Sequence, residues 1–314
     1  MKALVLDGKI DEYKLSDVDI PKVKPGWVLV QVKAFGMNHS EQILRKEEIK
    51  YDYIKKPIIP GIECVGEIVD PSNSQFKVGQ KVVALMGGMG RSFDGSYAEY
   101  ALLPAHHVFP IESDLNWEQL AAIPETYFTA WGSLFECLNL KPEDTLLIRG
   151  ASCALGYASL QIAKALGCKV IATTHREKYF SSLRDADEII MDNGALTGNV
   201  NGITKALDLV GPKHLLDTLT AVEKGAIVCQ TGILGGVYAL NGFDPIKDVP
   251  NGVYLTGFFS NYPTQKIVDD MFVFFNKHNL EPIYGPVFSF NDINDAIAMQ
   301  DSGKAGGKIV VVME

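Results

Sequence analysis

Two kinds of hydrophobic pattern divide the chain. Up to about residue 118, apolar and polar residues alternate in short segments separated by turns rich in Pro and Gly, which predicts β-strands. The segments are WVLVQVKAFG, ECVGEIVD, GQKVVAL and GSYAEYALLP, with PKVKPG and DPSNSQ among the turns. The first part of the chain is therefore expected to be β-rich.

From Trp117 to about Ser260, short apolar runs alternate with longer segments of helical periodicity. The apolar runs are LLI, KVIATT, EIIM, ALDLV, AIVCQTG and VYLTGFF. Strands that alternate with helices predict a parallel sheet covered on both faces. After this region, PTQKIVDDMFVFFNKHNL and INDAIAMQDSG predict helices, and GGKIVVVME predicts a final strand.

Length and composition limit the possible functions. The 314 residues, 47% hydrophobic and 21% charged, predict a soluble globular protein with two domains of roughly 100–200 residues each. The formal net charge of -9 argues against nucleic-acid or anionic-membrane partners, because both reward an excess of Lys and Arg. No apolar run is long enough for a membrane span or a signal segment. Since the five cysteines form no CxxC pair, reduced thiols and a cytoplasmic location are expected.

Residues 144–174 contain a candidate nucleotide site. DTLLIRGASCALGYASLQIAKALGCKVIATT predicts a strand, a turn, a helix that ends at Gly167 and a second strand. Backbone N–H groups and the helix dipole hold a pyrophosphate at a helix N-terminus, so the turn needs small residues rather than particular side chains. Such a turn also occurs in proteins that bind no nucleotide, and here Cys153 and Ala154 replace the usual glycines. The turn alone leaves both interpretations open.

The end of the second strand favours NADPH over NADH. NAD-type sites usually carry an acidic residue at this position for the ribose hydroxyls, whereas hydroxyl and basic side chains meet a 2′-phosphate. The sequence has THREK at 174–178, with no carboxylate at the strand end itself. We therefore expect Thr174, Arg176 and Lys178 to bind the 2′-phosphate. The alternative is that Arg176 and Lys178 only solvate the next helix.

Several motifs occur in one order along nearly the whole chain. They are MKALVL at the start, Gly36-Met37-Asn38 followed by Arg45, PGIECVGEIV at 60–69, VGQKVVAL at 78–85, GSYAEYALLP at 95–104, TAW at 129–131, GASCALG followed by QIAKALG, and GKIVVV near the end. In this combination the chain resembles the medium-chain dehydrogenase/reductase superfamily, in its zinc-free quinone oxidoreductase-like branch.

The resemblance implies an α/β fold with two domains. A GroES-like β-rich catalytic domain is expected at 1–118 and 262–314. A Rossmann domain, a doubly wound parallel sheet that binds NADP, is expected at 119–261, with the active site in the cleft between the domains.

The resemblance also implies that no metal is bound. In the zinc alcohol dehydrogenases of this superfamily, the ligands are a Cys before a His, the His of Gly-His-Glu, and a third Cys or acid. These positions align with Asn38, Ile62 and a residue near Glu125, and isoleucine cannot ligate a metal where a catalytic zinc needs three good ligands. His39 is then expected to line the cleft or contact a phosphate.

Without a Lewis acid, activated acceptors are the favoured substrates. Quinones and α,β-unsaturated carbonyl compounds delocalise the charge that hydride addition places on oxygen, so hydrogen-bond donors are enough to stabilise it. The expected activity is therefore an NADPH-dependent quinone or enone reductase. The resemblance implies that Asn38 is a donor in the nicotinamide cleft, that Thr129 lies near the carboxamide, and that Ser40 relays a proton. Alternatively, Ser40 only caps a helix.

Further cofactor contacts are expected at the carboxyl ends of the parallel strands. The full predicted set is Ser152, Cys153, Ala154, Leu155, Gly156, Thr174, Arg176, Lys178, Thr231, Gly232, Phe258 and Ser260. Phe258 has core or interface packing as its alternative. Cys153 is interpreted as a small-residue replacement, although a thiol at a helix N-terminus can have a lowered pKa and be reactive.

A homodimer is expected, because in this family the last Rossmann strand, here in VYLTGFF, often pairs with its copy. Three alternative functions stay open: an NADPH-binding protein with little catalysis, such as a crystallin-like or regulatory relative; a reductase of alkenals or enoyl thioesters; and a zinc-type alcohol dehydrogenase relative.

Overall fold

The structure is a computed structural model that describes residues 1–9 and 13–314. The strands are β1 (Lys2–Leu6), β2 (Tyr13–Asp17), β3 (Trp27–Met37), β4 (Glu63–Asp70), β5 (Lys81–Leu85), β6 (Tyr100–Pro104), β7 (Val108–Pro110), β8 (Thr145–Arg149), β9 (Lys169–Thr174), β10 (Glu188–Met191), β11 (Lys205–Asp208), β12 (Ile227–Gln230), β13 (Tyr254–Gly257), β14 (Val287–Ser289) and β15 (Ile309–Val312).

The α-helices are α1 (His39–Lys46), α2 (Trp117–Ala121), α3 (Pro124–Trp131), α4 (Ala154–Leu166), α5 (Leu215–Thr220), α6 (Pro245–Asp248), α7 (Gln265–His278) and α8 (Ile293–Ser302), and a π-helical segment at Gly132–Cys137 follows α3. Within the described ranges, no helix combines the length and the apolar character that crossing a membrane requires.

The chain forms two compact units, residues 1–128 with 260–314 and residues 129–259. The first boundary lies after residue 128 rather than after residue 118, because α2 packs on β3, β4 and β15 of the first unit. The second lies after residue 259 rather than 261. The β-rich unit is thus built from both ends of the chain, and the second unit is inserted between them along the sequence.

The first unit is organised around the long strand β3. Its main sheet has the order β14-β15-β3-β4-β5-β7, and β6 also pairs with β3, while β1 and β2 form a separate antiparallel pair. The last strand, β15, runs antiparallel to β3 and places Ile309 opposite Met37. Alternate β3 residues, Val28, Val30 and Val32, are buried in the core. This pairing brings the C-terminal segment next to the start of α1.

The second unit is a parallel sheet with the order β10-β9-β8-β11-β12-β13. The middle residues of its central strands are apolar and buried, as parallel strands covered on both faces require; Leu146, Leu147 and Ile148 of β8 are completely inaccessible. The chain moves to one side of β8 with β9 and to the other with β11, so the carboxyl end of β8 is a topological switch point, where such sheets bind ligands.

Candidate functional site

The turn after β8 is closely packed. Gly150 adopts a φ of 81°, and its N–H donates to Thr173 Oγ1 over 3.1 Å. Helix α4 then begins at Ala154, and Gly156 lies so near the turn that a Cβ there would stand 2.2 Å from the carbonyl oxygen of Ala151. The close helix-to-strand contact expected of Gly156 is therefore present.

The start of α4 has the properties of an anion site. Cys153 caps the helix, its Sγ accepting from the N–H of Gly156 over 3.4 Å. The first turn carries no acidic residue, and Ser152, Ala154 and Leu155 are partly exposed. Accessible N–H groups at the positive end of a 13-residue helix fit the pyrophosphate of a dinucleotide.

The Cys153 thiol is not activated by this position. Burial raises its pKa to about 11, and the N–H groups of Gly156 and Leu155 lower it only in part. A thiol with a raised pKa is protonated at neutral pH, which argues against the alternative of a reactive thiolate. The interpretation of Cys153 as a small residue that fits the turn is favoured.

A cavity of about 340 Å³ opens at the carboxyl ends of β8 to β11. It is lined by Gly150, Thr173, Thr174, His175, Asp192, Asn193, Gly194, Val210, Lys213, His214, Leu234 and Gly235. Thr174 is thus a cavity residue, and its hydroxyl is bonded to that of Ser152 over 2.8 Å. Arg176 and Lys178 are exposed after β9, with the Lys178 ammonium 4.7 Å from the ring centroid of Tyr179. Sequence reasoning missed Lys213, which lies far along the chain from the turn.

The predicted residues after β12 and β13 make contacts inside the second unit. Thr231 Oγ1 is 2.9 Å from Ser133 Oγ, and the N–H of Gly232 donates to the carbonyl oxygen of Asp208. The ring of Phe258 lies against Gly132, which favours the packing interpretation of Phe258.

In the first unit, Asn38 is held at four points. Its amide Nδ2 donates to Glu63 Oε1 over 2.8 Å, and its Oδ1 accepts from Lys308 Nζ over 2.5 Å. Its backbone N–H donates to Glu41 Oε2, and its carbonyl oxygen accepts from Gln300 Nε2. One N–H of the amide is therefore already engaged by the protein.

Asn38, Glu41, Glu63 and Lys308, here called the Asn38 cluster, combine two buried carboxylates with one buried ammonium. Glu41 and Glu63 are 0% exposed and Lys308 is 2% exposed, and Lys308 Nζ also pairs directly with Glu63 Oε1. Burial raises the pKa of Glu41 to about 6, although Lys308 opposes this. Gly36 is required here, because a Cβ would stand 2.2 Å from Lys308 Cε.

Glu63 and Lys308 lie in the motifs PGIECVGEIV and GKIVVV. Neither motif has a pattern that indicates that the two charges pair with each other.

Ser40 is bound by Arg91, a contact that the sequence did not predict. Arg91 Nη2 donates to Ser40 Oγ over 2.9 Å and to the Ser40 carbonyl oxygen over 3.1 Å. Arg91 Nε donates to Glu48 Oε2 over 2.8 Å. The Ser40 oxygen is therefore an acceptor for a fixed cation, which directs the hydroxyl hydrogen away from Arg91. A ring nitrogen of neighbouring His39 is 2.8 Å from Gln42 Oε1.

The remaining predicted residues fall in different units. Ser260 belongs to the first unit, where its hydroxyl donates to Glu125 Oε1 over 2.6 Å. Thr129 belongs to the second unit and is 8% exposed within α3. Asn38 and Ser40 lie together at the start of α1.

Comparison with known proteins identifies the family. Residues 24–113 match the family described as Alcohol dehydrogenase GroES-like domain, and residues 184–311 match the family described as Zinc-binding dehydrogenase. The human protein named Quinone oxidoreductase is 34% identical over 209 residues, an alignment that spans 64% of this chain and 59% of that protein. The chain belongs to the medium-chain dehydrogenase/reductase superfamily.

Solved structures show the same fold over the whole chain. The yhdH oxidoreductase from Salmonella enterica, solved in complex with NADP, has a TM-score of 0.85 at 21% identity and covers 100% of both chains. The Bacillus subtilis protein yhfP, solved with NAD bound, has a TM-score of 0.85 at 22% identity, over 99% of this chain and 98% of that chain. The predicted GroES-like and Rossmann architecture of a medium-chain dehydrogenase/reductase is confirmed.

The residues at the aligned zinc positions do not fit a catalytic zinc. Ile62 is 3% exposed and apolar, and the only oxygen of the Asn38 side chain faces the Lys308 ammonium. Across residues 1–9 and 13–314, no group of three His, Cys, Asp or Glu side chains is placed to hold a metal ion. A site with three good ligands, as catalytic zinc requires, is not formed here.

Proposed function

We propose that the protein is a zinc-independent reductase that transfers a hydride from NADPH to a quinone or an α,β-unsaturated carbonyl compound. The observation that carries the proposal is the Asn38 cluster: the amide at the position of the first zinc ligand is hydrogen-bonded to the buried ammonium of Lys308. The name of the human relative, Quinone oxidoreductase, supports the acceptor class.

NADPH is proposed as the cofactor, and when bound it supplies the hydride. The start of α4 would hold the pyrophosphate. Thr174 lines the adjacent cavity, and basic residues follow it on the surface. The similar folds were solved with NADP in one case and NAD in the other, so the preference for NADPH is drawn from these residues of the chain.

The residues of the first unit would bind and polarise the acceptor. Hydride addition places negative charge on the acceptor oxygen, and fixed hydrogen-bond donors stabilise this charge without reorganisation. Asn38 cannot rotate freely, because Lys308 and Glu63 hold both ends of its amide. Arg91 donates a hydrogen bond to the oxygen of Ser40, so the hydroxyl hydrogen of Ser40 points elsewhere and would act as a second donor to the acceptor. The same hydroxyl would relay a proton from water.

A homodimer formed through β13 is part of the proposal. This strand ends the order of the parallel sheet, and Tyr254 and Leu255 are 62% and 37% exposed. An exposed apolar edge strand is normally covered, and pairing with a second copy covers it. The five free cysteines favour a reducing compartment such as the cytoplasm as the location.

The proposal is tested by NADPH oxidation, with NADH in parallel, against ortho- and para-quinones and 2-alkenals in the presence of a chelator. Turnover with NADPH that survives the chelator is expected. Loss of turnover on chelation, with bound zinc found by elemental analysis, would establish the zinc-type alternative. NADPH binding without turnover of any acceptor would establish a binding protein instead.

A further inference from the structure

Two charged side chains line the cavity at the ends of β8 to β11, and only one of them is paired. The stem of Lys213 lies over Gly235, where a Cβ would stand 2.8 Å from Lys213 Cβ. Lys213 is exposed, and no carboxylate within the described residues forms an ion pair with it. The cavity therefore contains an ammonium group that is available to an anion.

The other charge, Asp192, is occupied. Arg149 Nε donates to Asp192 Oδ2 over 2.9 Å and Nη2 donates to Oδ1 over 3.2 Å. The N–H of Gly194 and the hydroxyl of Thr173 also donate to this carboxylate. Burial alone would raise the pKa of Asp192, yet the bonds from Arg149 and Gly194 lower it, so the carboxylate is ionised and both of its oxygens are used.

Arg149 is held so that it cannot release Asp192 easily. It is 0% exposed, and Nη1 donates to the carbonyl oxygen of His214 and to Thr218 Oγ1. Asp217 Oδ2 lies 2.8 Å from Nη1 on the other side. A bidentate arginine pair with this support is geometrically rigid.

The two observations distinguish the two nicotinamide nucleotides. The carboxylate that binds the ribose hydroxyls of NAD normally follows the second strand of such a unit, whereas a cation binds the 2′-phosphate of NADP. Here the second strand, β9, ends at Thr174, and Asp192, which follows the Thr174 partner Met191 on the neighbouring strand β10, is the carboxylate that lines the cavity. We propose that Lys213 contacts the 2′-phosphate and that Asp192, held by Arg149, does not serve as a ribose carboxylate. This inference rests on the proposed NADPH-dependent function and assigns its cofactor preference to Lys213 after β11 and to Asp192 after β10, which Arg149 of β8 holds.

Binding of 2′,5′-ADP and of 5′-AMP, measured by isothermal titration calorimetry, tests the lysine directly and requires no turnover. Lys213→Met is expected to weaken 2′,5′-ADP binding by roughly 5- to 20-fold, the range of one charge-assisted contact at an exposed site. Binding of 5′-AMP should change by less than about twofold. Lys169→Met is the matched control, because Lys169 is exposed at the opposite end of β9, and it should change neither ligand.

Asp192→Asn tests the carboxylate. The ratio of the NADPH and NADH dissociation constants is expected to stay within about twofold of wild type, because neither ligand uses Asp192. Weakening of NADH alone by roughly tenfold or more would show that Asp192 binds ribose and would overturn this part. Circular dichroism confirms that each variant is folded.

The outcomes separate the inference from the proposed function. Wild type that binds 2′,5′-ADP and turns over NADPH, with Lys213→Met unchanged or equally weakened for both fragments, overturns the inference alone. Wild type that binds no NADPH overturns the proposed function, and the inference with it.

Discussion

Lys308 shows what one side chain contributes at this site. It is the only cation in the Asn38 cluster, where two carboxylates are fully buried. A buried ion pair need not stabilise a protein relative to an apolar pair, but removing one partner is costly because the other charge is left unpaired. The cluster therefore keeps its arrangement only while all of its members are present.

Lys308→Met is expected to lower the free energy of unfolding by about 3–5 kcal/mol, because Glu63 loses its partner in the interior. Urea denaturation monitored by circular dichroism measures the change. Lys304→Met is the control, since Lys304 is exposed four positions earlier and its loss should change stability by less than about 0.5 kcal/mol. Equal stability of the two variants would contradict the cluster as described.

The raised pKa of Glu41 predicts how the free energy of unfolding depends on pH. Its pKa of about 6 in the folded protein lies above the ordinary value of 4.5, so the folded state holds the proton more tightly than the unfolded state. The stability contributed by the protonated Glu41 is fully present below pH 4.5 and is lost as the pH rises through about 6. This loss amounts to about 2 kcal/mol of the free energy of unfolding.

Glu41→Gln should remove this loss, so that stability between pH 4.5 and 7 falls by about 2 kcal/mol less than in wild type. Glu112→Gln, a change at an exposed carboxylate, should follow the wild-type profile. Denaturation midpoints across the pH range measure the effect. A Glu41→Gln profile parallel to that of wild type would show that folding does not raise the pKa of Glu41.

At the scale of elements, local signals specify where helices begin and end. Helix α4 ends at Gly167, whose φ is 96°, as predicted, because glycine adopts this left-handed conformation at little cost. At its other end, the cap is Cys153, whose sulfur is a weaker acceptor than the oxygen of the residues usually found there. Cys153 has a φ of -138°, extended backbone that any residue adopts, so the turn tolerates a residue other than glycine at this position.

Replacement of the Cys153 cap should affect the helix according to the acceptor that remains. Cys153→Ala is expected to lower the free energy of unfolding by about 0.5–1 kcal/mol, whereas Cys153→Ser keeps an acceptor and should match or exceed wild type. Thermal denaturation of the two variants measures this order. The reverse order would mean that the thiol stabilises the turn by packing rather than by capping.

At the scale of the whole molecule, the exposed edge strand β13 of the parallel sheet is the proposed dimer contact. Tyr254→Lys with Leu255→Lys should convert a dimer to a monomer, because charged side chains disfavour edge-to-edge pairing. Light scattering after size-exclusion chromatography measures the mass. Val273→Lys is the control, since Val273 is equally apolar and 65% exposed on α7. Wild type that elutes as a monomer would contradict the proposed assembly.

Most of the fold could be predicted from the sequence. Each of the strand segments in the second unit is a strand in the structure, and the C-terminal GGKIVVVME joins the first sheet through β15. The first unit continues past the predicted bound of residue 118 to residue 128, because α2 packs on β3, and this packing is not visible in the helical pattern of the region. The sequence pointed to Asn38, Ser40 and the turn, whereas Lys213, the contact of Arg91 with Ser40 and the pairing of Glu63 with Lys308 were not predicted.

What the sequence determined by itself is the set of local properties: the period of the apolar residues, the helix ends, the small residues of the turn and the isoleucine at an aligned zinc position. These depend on neighbours within a few positions. Only the tertiary structure decided which charged groups pair and in which direction burial shifts their pKa values. Lys308 contacts Glu63, which is 245 positions away along the chain, and Asn38, which is 270 positions away. Burial raises the pKa of Cys153, whereas a helix N-terminus alone would lower it. Such energies depend on desolvation and on partners from distant segments, which no local pattern records.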